Sequence, residues 1–438
     1  MRRNTLQLSS VTLGVTLVSI ILVVMPFHAF LTVWLSSLVG HYTLLRLWKE
    51  FLLLAVVLIA AWQLRDPKLR KQIFASKLTW LTCIYAAVQV IWGIVAYTQH
   101  TVTMKALAYG LLVNLRFLAF FLAIWILASK SPQLSRTWRP LLIGPAIVVL
   151  IVTLLQYFVL PYDILRHFGY NEMTIYPYET INHNVNFIRV MSTLRGANPL
   201  GAYLILILSL LLVLWRNQLK NWRFAIFPAV AALALVLTFS RSAWLGFTLS
   251  ALIIGATMLK TKQARQNAAM LAAGATILIA GLFAMLHHNA TFQNVFAHTQ
   301  DHSKVSTSSN EGHRSALRNG LSDMAHHPLG SGPGTAGPAS VYNKNKVRIA
   351  ENYFVQIGQE TGIIGFGLFI AINVVLGQQL WRRKNEPLAL ALFAALIGIS
   401  FVNLLSHAWT DDTLAYLFWG LAGIALAKSK VSRVQAKV

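Results

Sequence analysis

The chain has 438 residues, of which 56% are hydrophobic and only 11% charged, and its mean hydropathy is +0.59. This composition is too apolar for the surface of a soluble globular protein. A membrane-crossing helix needs about 20 residues, so the length accommodates about twelve such helices with loops between them. The sequence therefore predicts an all-α polytopic membrane protein and excludes soluble enzymes, nucleic-acid-binding modules and transmembrane β-barrels.

Apolar stretches of membrane-spanning length recur along the chain. The first follows Arg2 and Arg3 without the small-residue cleavage site of a signal peptide, so we expect a retained helix. No internal repeat is evident, and residues 1–438 are predicted to form one transmembrane domain. The predicted spans are 10–30, 42–64, 74–97, 105–128, 139–160, 198–215, 222–239, 242–259, 267–287, 357–380, 387–405 and 412–427.

The net charge of +24 has an explanation that does not involve nucleic acid. Membrane proteins concentrate Lys and Arg in their cytoplasmic loops. With both termini placed in the cytoplasm, the alternate loops on that side collect 23 of the 37 basic residues but only Asp66 and Glu386 of the 13 acidic ones. The charge pattern therefore predicts that both termini and these alternate loops lie on the cytoplasmic side of the membrane.

Two segments on the outer side, about 161–197 and 288–350, are too long to be simple turns. The second is polar and rich in His, Ser, Asn and Gly, and we expect it to form a helical extracytoplasmic cap between spans nine and ten. Cys83 is the only cysteine, which excludes an intramolecular disulfide and a cysteine-based metal site.

Several arginines on the outer side are not explained by the charge rule. Arg241 lies in the short turn 238–246 between two apolar spans, and its planar fork suits phosphate oxygens. The alternative is an interfacial arginine that packs against Trp244. Arg116 lies within a predicted span, where an ionisable residue is costly and therefore a candidate for function.

The predicted cap carries two further arginines. Arg314 follows Glu311-Gly312-His313, and Arg318 comes one helical turn later, so both are expected on one face of a helix. Pairing with Glu311 on a solvated face is the alternative for each. The turn 328–334 is glycine-rich but lacks the Gly-Lys-Ser/Thr ending of a phosphate-binding loop, so we interpret it as a structural turn at the site entrance.

Glu351 and Asn352 open the segment 350–356, which leads into the tenth predicted span. A carboxylate at this boundary, near several arginines, is a candidate general base. A helix-start acid or an ion-pair partner is the alternative. His298 and His302 have a metal-ligand spacing, but Thr299 stands where a zinc protease has its glutamate and no third ligand is evident, so no metal and no cofactor are predicted.

Together these elements resemble the O-antigen ligase and O-antigen polymerase superfamily of bacterial membrane glycosyltransferases. The resemblance covers most of the chain and rests on the spans, the turn around Arg241, the Gly-x-Arg element at Arg314, the glycine-rich turn and Arg195-Gly196-Ala197-Asn198-Pro199 before span six. In the ligases, His and then Asn, Ser or Gln precede nine residues and Gly-x-x-Gly. Here Glu351-Asn352 precede nine residues and Gly362-x-x-Gly365, with Glu in place of His.

The resemblance implies a donor glycan on undecaprenyl pyrophosphate and an acceptor hydroxyl on a glycan, a lipid core or a protein, among the lipids of the bacterial inner membrane. It implies inverting, metal-independent transfer on the outer face, in lipopolysaccharide or other polysaccharide synthesis for the cell envelope. Arg241 and Arg314 would hold the pyrophosphate, and Glu351 would be the base. Possible further substrate contacts are Arg195, Arg318, Asn352 and Arg116.

Three alternatives remain. Because Glu replaces the ligase His, a repeat-unit polymerase of the same superfamily is one. A transporter of a lipid-linked glycan or anionic solute is the second, although transporters usually carry internal repeats. The third, a metal-dependent oligosaccharyltransferase-like enzyme, requires acidic ligands in the first outer loop, and residues 28–41 contain no Asp or Glu.

Overall fold

A computed structural model describes residues 2–181, 184–215, 218, 221–259, 263, 266, 289, 309–344 and 347–427. Almost all of the regular structure in these ranges is helical, which confirms the prediction of an all-α membrane protein. One two-stranded sheet is the exception. Predicted span 267–287 and the pair His298 and His302 lie outside the described residues.

The helices follow the apolar stretches of the sequence. Each predicted span within the described ranges overlaps at least one of them. Their bounds are α1 Arg2–Val24, α2 His28–Val39, α3 Tyr42–Arg46, α4 Trp48–Gln63, α5 Pro67–Phe74, α6 Lys77–Thr98, α7 Met104–Lys130, α8 Gln133–Phe158, α9 Ala197–Trp215, α10 Trp222–Leu237, α11 Arg241–Met258, α12 Ser309–His326, α13 Tyr353–Arg382, α14 Pro387–Asn403 and α15 Asp412–Leu426.

Six of the described segments are long and apolar enough to cross a membrane. They are Ser9–Val39, Lys77–Thr98, Met104–Lys130, Gln133–Phe158, Ala197–Trp215 and Tyr353–Arg382. The apolar helices α10, α14 and α15 are shorter, at 16, 17 and 15 residues. The count of about twelve spans therefore stays a prediction.

The centre of the bundle is formed by α7, α9, α14 and α15. Helix α9 is apolar on every face and is buried over most of its length, as expected of a helix enclosed by neighbours. Helices α11 and α14 approach closely because Gly246 and Gly398 face each other, and Ser250 Oγ donates a hydrogen bond of 2.8 Å to the carbonyl of Ala394. This packing fixes the start of α11, which carries Arg241.

The segment before α9 is held firmly against the bundle. It contains β1 (Glu179–Ile181) and β2 (Asn184–Arg189), which pair antiparallel, so the predicted outer loop 161–197 is not helical as a whole. Thr193 Oγ donates to the Pro26 carbonyl at 2.8 Å, and the Ser192 amide donates to Gln156 Oε1 at 2.8 Å. These contacts position Arg189 and Arg195 at one end of the bundle, which also holds Arg241 and Asn352 and is called here the site end.

The glycine-rich turn 328–334 docks onto a kink in α13. Thr361 and Gly362 leave helical geometry, and the freed carbonyls of Gln359 and Glu360 accept hydrogen bonds from the amides of Ser331 (2.9 Å) and Gly332 (2.7 Å). The buried carboxylate of Glu360 accepts a further hydrogen bond of 2.8 Å from the Gly334 amide. Backbone groups freed at a kink need such partners in a membrane protein.

Gly362→Ala is expected to destabilise the fold. Gly362 has a φ of +63°, and an added Cβ would lie 2.2 Å from the Pro328 carbonyl oxygen. Left-handed geometry alone costs alanine about 1–2 kcal/mol. Gly367→Ala is the matched control, because it lies on the same helix and its added Cβ meets nothing within 4 Å. Thermal melting of the purified proteins tests this, and equal melting temperatures for the two variants would contradict it.

Candidate functional site

Glu351 lies in a strained backbone position at the start of α13. Its φ is +51°, a left-handed value that is uncommon for a residue with a side chain and that tends to occur at functional sites. Its carboxylate oxygen Oε2 forms an ion pair with His313 Nδ1 of α12. The sequence drew attention to His313 only as part of the motif before Arg314, since residues 38 positions apart give no sign of contact.

A second histidine completes what we call the Glu351 group: Glu351, His313 and His407. Burial lowers the pKa of His407 to about 4, and the nearby charge of Glu351 opposes this only in part. The bond to His313 lowers the pKa of Glu351 below its ordinary value, with burial acting in the opposite direction. At neutral pH the group therefore contains an ionised carboxylate and a neutral His407.

The Asn352 side chain forms hydrogen bonds with the backbone at both its oxygen and its nitrogen. Its side-chain oxygen accepts a hydrogen bond of 3.0 Å from the Val355 amide and so caps the N-terminus of α13, while its Nδ2 donates to the Leu404 carbonyl at 2.9 Å. Both ends of the amide, predicted as a possible substrate contact, are thus engaged with the backbone. Asn352 fixes the start of α13 and thereby the place of Glu351.

Helix α12 is anchored to α13 through Asp323, a residue that sequence reasoning missed. Asp323 Oδ2 accepts hydrogen bonds from Arg348 Nε at 2.9 Å and from Gln359 Nε2 at 2.7 Å. The next residue, Met324, packs where Gly358 leaves room. This anchoring holds α12 so that His313 meets Glu351, with the exposed predicted residues Arg314 and Arg318 on the same helix.

Arg241 belongs to a second cluster, called here the Arg189 group: Arg189, Glu179, Asn198 and Arg241. The Arg189 guanidinium reaches Glu179 Oε2 at 3.2 Å, Asn198 Oδ1 at 2.6 Å and the Thr238 carbonyl at 3.0 Å. Half-buried Arg241, the first residue of α11, lies within range of the Arg189 charge. Arginine is common where carboxylate or phosphate is bound through two parallel hydrogen bonds, so Arg241 stays the anion-binding candidate of this group. Sequence analysis did not single out Arg189.

The remaining predicted residues, Arg116 and Arg195, line a cavity of about 260 Å³ at the site end, called here the charged cavity. Its walls come from α2, α3, α4, α7, the outer segment and the start of α15. The described lining residues are His28, Ala29, Thr32, Tyr42, Arg46, Leu47, Lys49, Glu50, Tyr109, Leu112, Arg116, Met173, Thr174, Ile175, Arg195, Tyr342, Thr410, Asp411, Asp412 and Thr413.

An ion-pair network forms one wall of the charged cavity. Lys49 Nζ lies 3.1 Å from Glu50 Oε1 and 3.0 Å from Asp412 Oδ2. Arg116 pairs with Glu50 at 3.2 Å and also with Asp412. Both cations are almost fully buried. A buried charge requires such partners, and two carboxylates distant in sequence provide them for Arg116.

His28 adds an oriented donor to this network. The Trp48 indole, which can only donate, gives a hydrogen bond of 2.9 Å to His28 Nδ1. Nε2 then carries the proton of the neutral ring and donates to Asp412 Oδ2 at 3.2 Å. Asp411, beside it, accepts from the Leu414 amide at 3.0 Å and caps α15. The adjacent acids Asp411 and Asp412 thus have different contacts.

Two short segments connect the charged cavity with the other groups. Residues 404–412 extend from the Asn352 contact through His407 to Asp411 and Asp412. Residues 189–198 carry Arg189, the cavity residue Arg195 and Asn198. The site end therefore combines an ionised carboxylate, arginines and a polar cavity within one framework, which is suited to binding a charged substrate and removing a proton from it.

Comparison with known proteins supports the resemblance seen in the sequence. Residues 229–370, about a third of the chain, match the family model described as O-antigen ligase, and this confirms the predicted resemblance to the O-antigen ligase superfamily. The matched range includes Arg241, Arg314, Glu351 and the kink at Gly362. No curated protein matches the chain. The family match and the apolar helices together support a membrane glycosyltransferase of the O-antigen ligase or polymerase type.

Proposed function

We propose that the protein, as a single domain over residues 1–438, transfers a glycan from undecaprenyl pyrophosphate to an acceptor hydroxyl at the outer face of the bacterial inner membrane. The observation that carries this proposal is the ion pair between Glu351 and His313 within the family-matched region. It joins the start of α13 to the helix that bears Arg314. The base candidate and the phosphate-binding candidate therefore lie on two elements that are in contact at one end of the bundle.

The proposed reaction needs no metal ion. The acceptor oxygen forms a bond to the anomeric carbon from the face opposite the pyrophosphate, and the bond from that carbon to the pyrophosphate oxygen breaks, with inversion. The acceptor proton goes to Glu351, and the bonding electrons leave with the pyrophosphate. Arg241 and Arg314 stabilise its developing charge with charge-assisted hydrogen bonds.

The orientation of the bundle is part of the proposal. The described helix ends opposite the site end carry many cations, which favours a cytoplasmic location for that end. These cations are Arg65, Lys68, Arg70, Lys71, Lys77, Lys130, Arg136, Arg139, Arg223, Arg382, Arg383 and Lys384. The site end then faces outward, where a lipid-linked donor in the outer leaflet is accessible.

Cysteine labelling tests the orientation. In a Cys83→Ser background, Ser315→Cys, exposed on α12, is expected to react with an impermeant thiol reagent on intact spheroplasts. Lys68→Cys, exposed at the opposite end, is the matched control and should react only after lysis. The reverse pattern would contradict the proposed orientation.

A transfer assay with purified full-length protein and undecaprenyl-pyrophosphate glycan tests the function. Activity that persists with added chelator supports the proposal, and its loss would contradict the metal-independent mechanism. Deletion of the gene separates the two branches of the superfamily. Long unattached undecaprenyl-linked chains indicate a ligase, whereas single repeat units indicate a polymerase.

A further inference from the structure

We propose that the charged cavity binds one saccharide unit that carries an acidic group, a phosphate or a carboxylate, in the acceptor of the proposed transfer. The identification of this unit as part of the acceptor rests on the proposed function. The cavity's own chemistry indicates the ligand class. Its position indicates the acceptor, because the segment that brings His407 to Glu351 continues directly into the cavity wall at Thr410–Thr413.

The ion-pair wall suits hydroxyl groups better than a bare anion. The charges of Lys49 and Arg116 are matched by those of Glu50 and Asp412. A wall without net charge has little attraction for a simple anion, yet it presents both donors and acceptors. The Glu50 and Asp412 side chains keep 12% and 20% exposure, and their carboxylates can accept hydrogen bonds from sugar hydroxyls.

Aromatic rings form another wall. Tyr109 and Tyr342 meet edge to face with ring centroids 5.3 Å apart, and Tyr42 also lines the cavity. Tyrosine presents an apolar ring with a polar tip, which matches the alternation of C–H and O–H groups on a pyranose. The volume of about 260 Å³ lies just below the range of about 300–1,000 Å³ that is typical of drug-sized ligands. It therefore fits a single sugar unit.

Two arginines beyond the ion-pair wall provide the preference for an acidic group. Arg46 is half-buried, with its guanidinium 5.2 Å from the Tyr109 ring centroid, and Arg195 is exposed. Asp411 is the remaining lining acid, so these groups carry a net positive charge. A guanidinium fork binds phosphate or carboxylate through paired hydrogen bonds.

Binding measurements on the full chain in lipid nanodiscs test the inference, with saturation-transfer NMR as the readout. The probes are glucose 6-phosphate, glucuronic acid, methyl glucoside and inorganic phosphate. We expect the two acidic sugars to bind about ten-fold more tightly than methyl glucoside. Arg46→Gln and Arg195→Gln should each reduce this preference, while Tyr342→Leu should weaken all three sugars. Arg136→Gln, exposed at the opposite end, is the matched control and should change nothing.

Three results would overturn the inference: equal binding of methyl glucoside and the acidic sugars, inorganic phosphate binding as tightly as glucose 6-phosphate, or a preference that survives both arginine substitutions. Melting temperatures establish that the variants are folded. The transfer assay separates the two proposals. Wild-type transfer without sugar binding refutes the cavity inference alone, whereas sugar binding without any transfer refutes the proposed function and leaves a saccharide site.

Discussion

Arg241→Ala and Arg314→Ala are each expected to abolish glycan transfer while leaving the protein level unchanged. Each substitution removes charge-assisted hydrogen bonds to the leaving pyrophosphate, and the loss of one such donor typically costs about 10²–10³ in rate. Lysine should rescue poorly at either position, because a point charge cannot reproduce a bidentate fork. The measurement is the rate of transfer by purified protein from undecaprenyl-pyrophosphate glycan.

The position of Arg241 in the structure supports this expectation. Arg241 lies beside Arg189, whose guanidinium is held by Glu179, Asn198 and the Thr238 carbonyl. Arg189 is therefore charge-paired with Glu179 and held in place beside Arg241. Lys344→Ala serves as the control, because it removes an exposed cation from the same end of the bundle. If an alanine variant transfers glycan at the wild-type rate, that arginine has only a structural role, either in interfacial packing or in surface pairing.

Hydropathy predicted the positions of the helices well, because every segment that crosses a bilayer must be apolar and must satisfy its own backbone hydrogen bonds. A run of about 20 apolar residues is sufficient to locate a helix, whatever it packs against. The predicted stretch 198–215 and the helix Ala197–Trp215 differ by one residue at the N-terminus. The hairpin of β1 and β2 was missed because it is short, polar and held by neighbouring segments.

The candidate site was harder to predict, because its geometry depends on distant contacts. The network of Arg116 unites Glu50 and Asp412, which come from opposite parts of the chain. No spacing rule within one helix contains that information. The sequence did contain a signal for the role of Asn352, because asparagine directly before a helix is a common N-cap. We instead interpreted Asn352 as a possible substrate contact. The left-handed backbone conformation of Glu351 could not be predicted from the sequence, because glycine is the residue that usually adopts this conformation.

Glu351→Gln is expected to reduce turnover by about 10²–10⁴ while donor binding survives, because glutamine keeps the size and one acceptor oxygen but cannot act as a carboxylate base. Glu351→His should restore part of the activity, since the related ligases have histidine at this position. The readouts are transfer under saturating donor and a separate measurement of donor binding. Glutamine has the same side-chain length and branching as glutamate, which makes it a matched replacement at this left-handed position.

The ion pair with His313 adds a pH dependence whose sign follows from the structure. His313 lowers the pKa of Glu351, so the carboxylate stays ionised, and activity persists, until the pH falls through this lowered value. In His313→Gln the lowering is lost, the pKa of Glu351 rises toward its ordinary value of about 4.3, and the acid limb of the kcat/KM profile should move to higher pH. If the acid limb does not move, His313 does not influence the pKa of the catalytic base.

Glu351→Gln, His313→Gln and the double variant together distinguish a base from a structural ion pair. If Glu351 accepts the proton, the glutamine variant loses the acid limb along with most of its turnover, and adding His313→Gln causes little further loss. If the pair only anchors α12 to α13, both single variants should lower the melting temperature by similar amounts and retain turnover within a few-fold of wild type. That second pattern would place the base elsewhere at the site end.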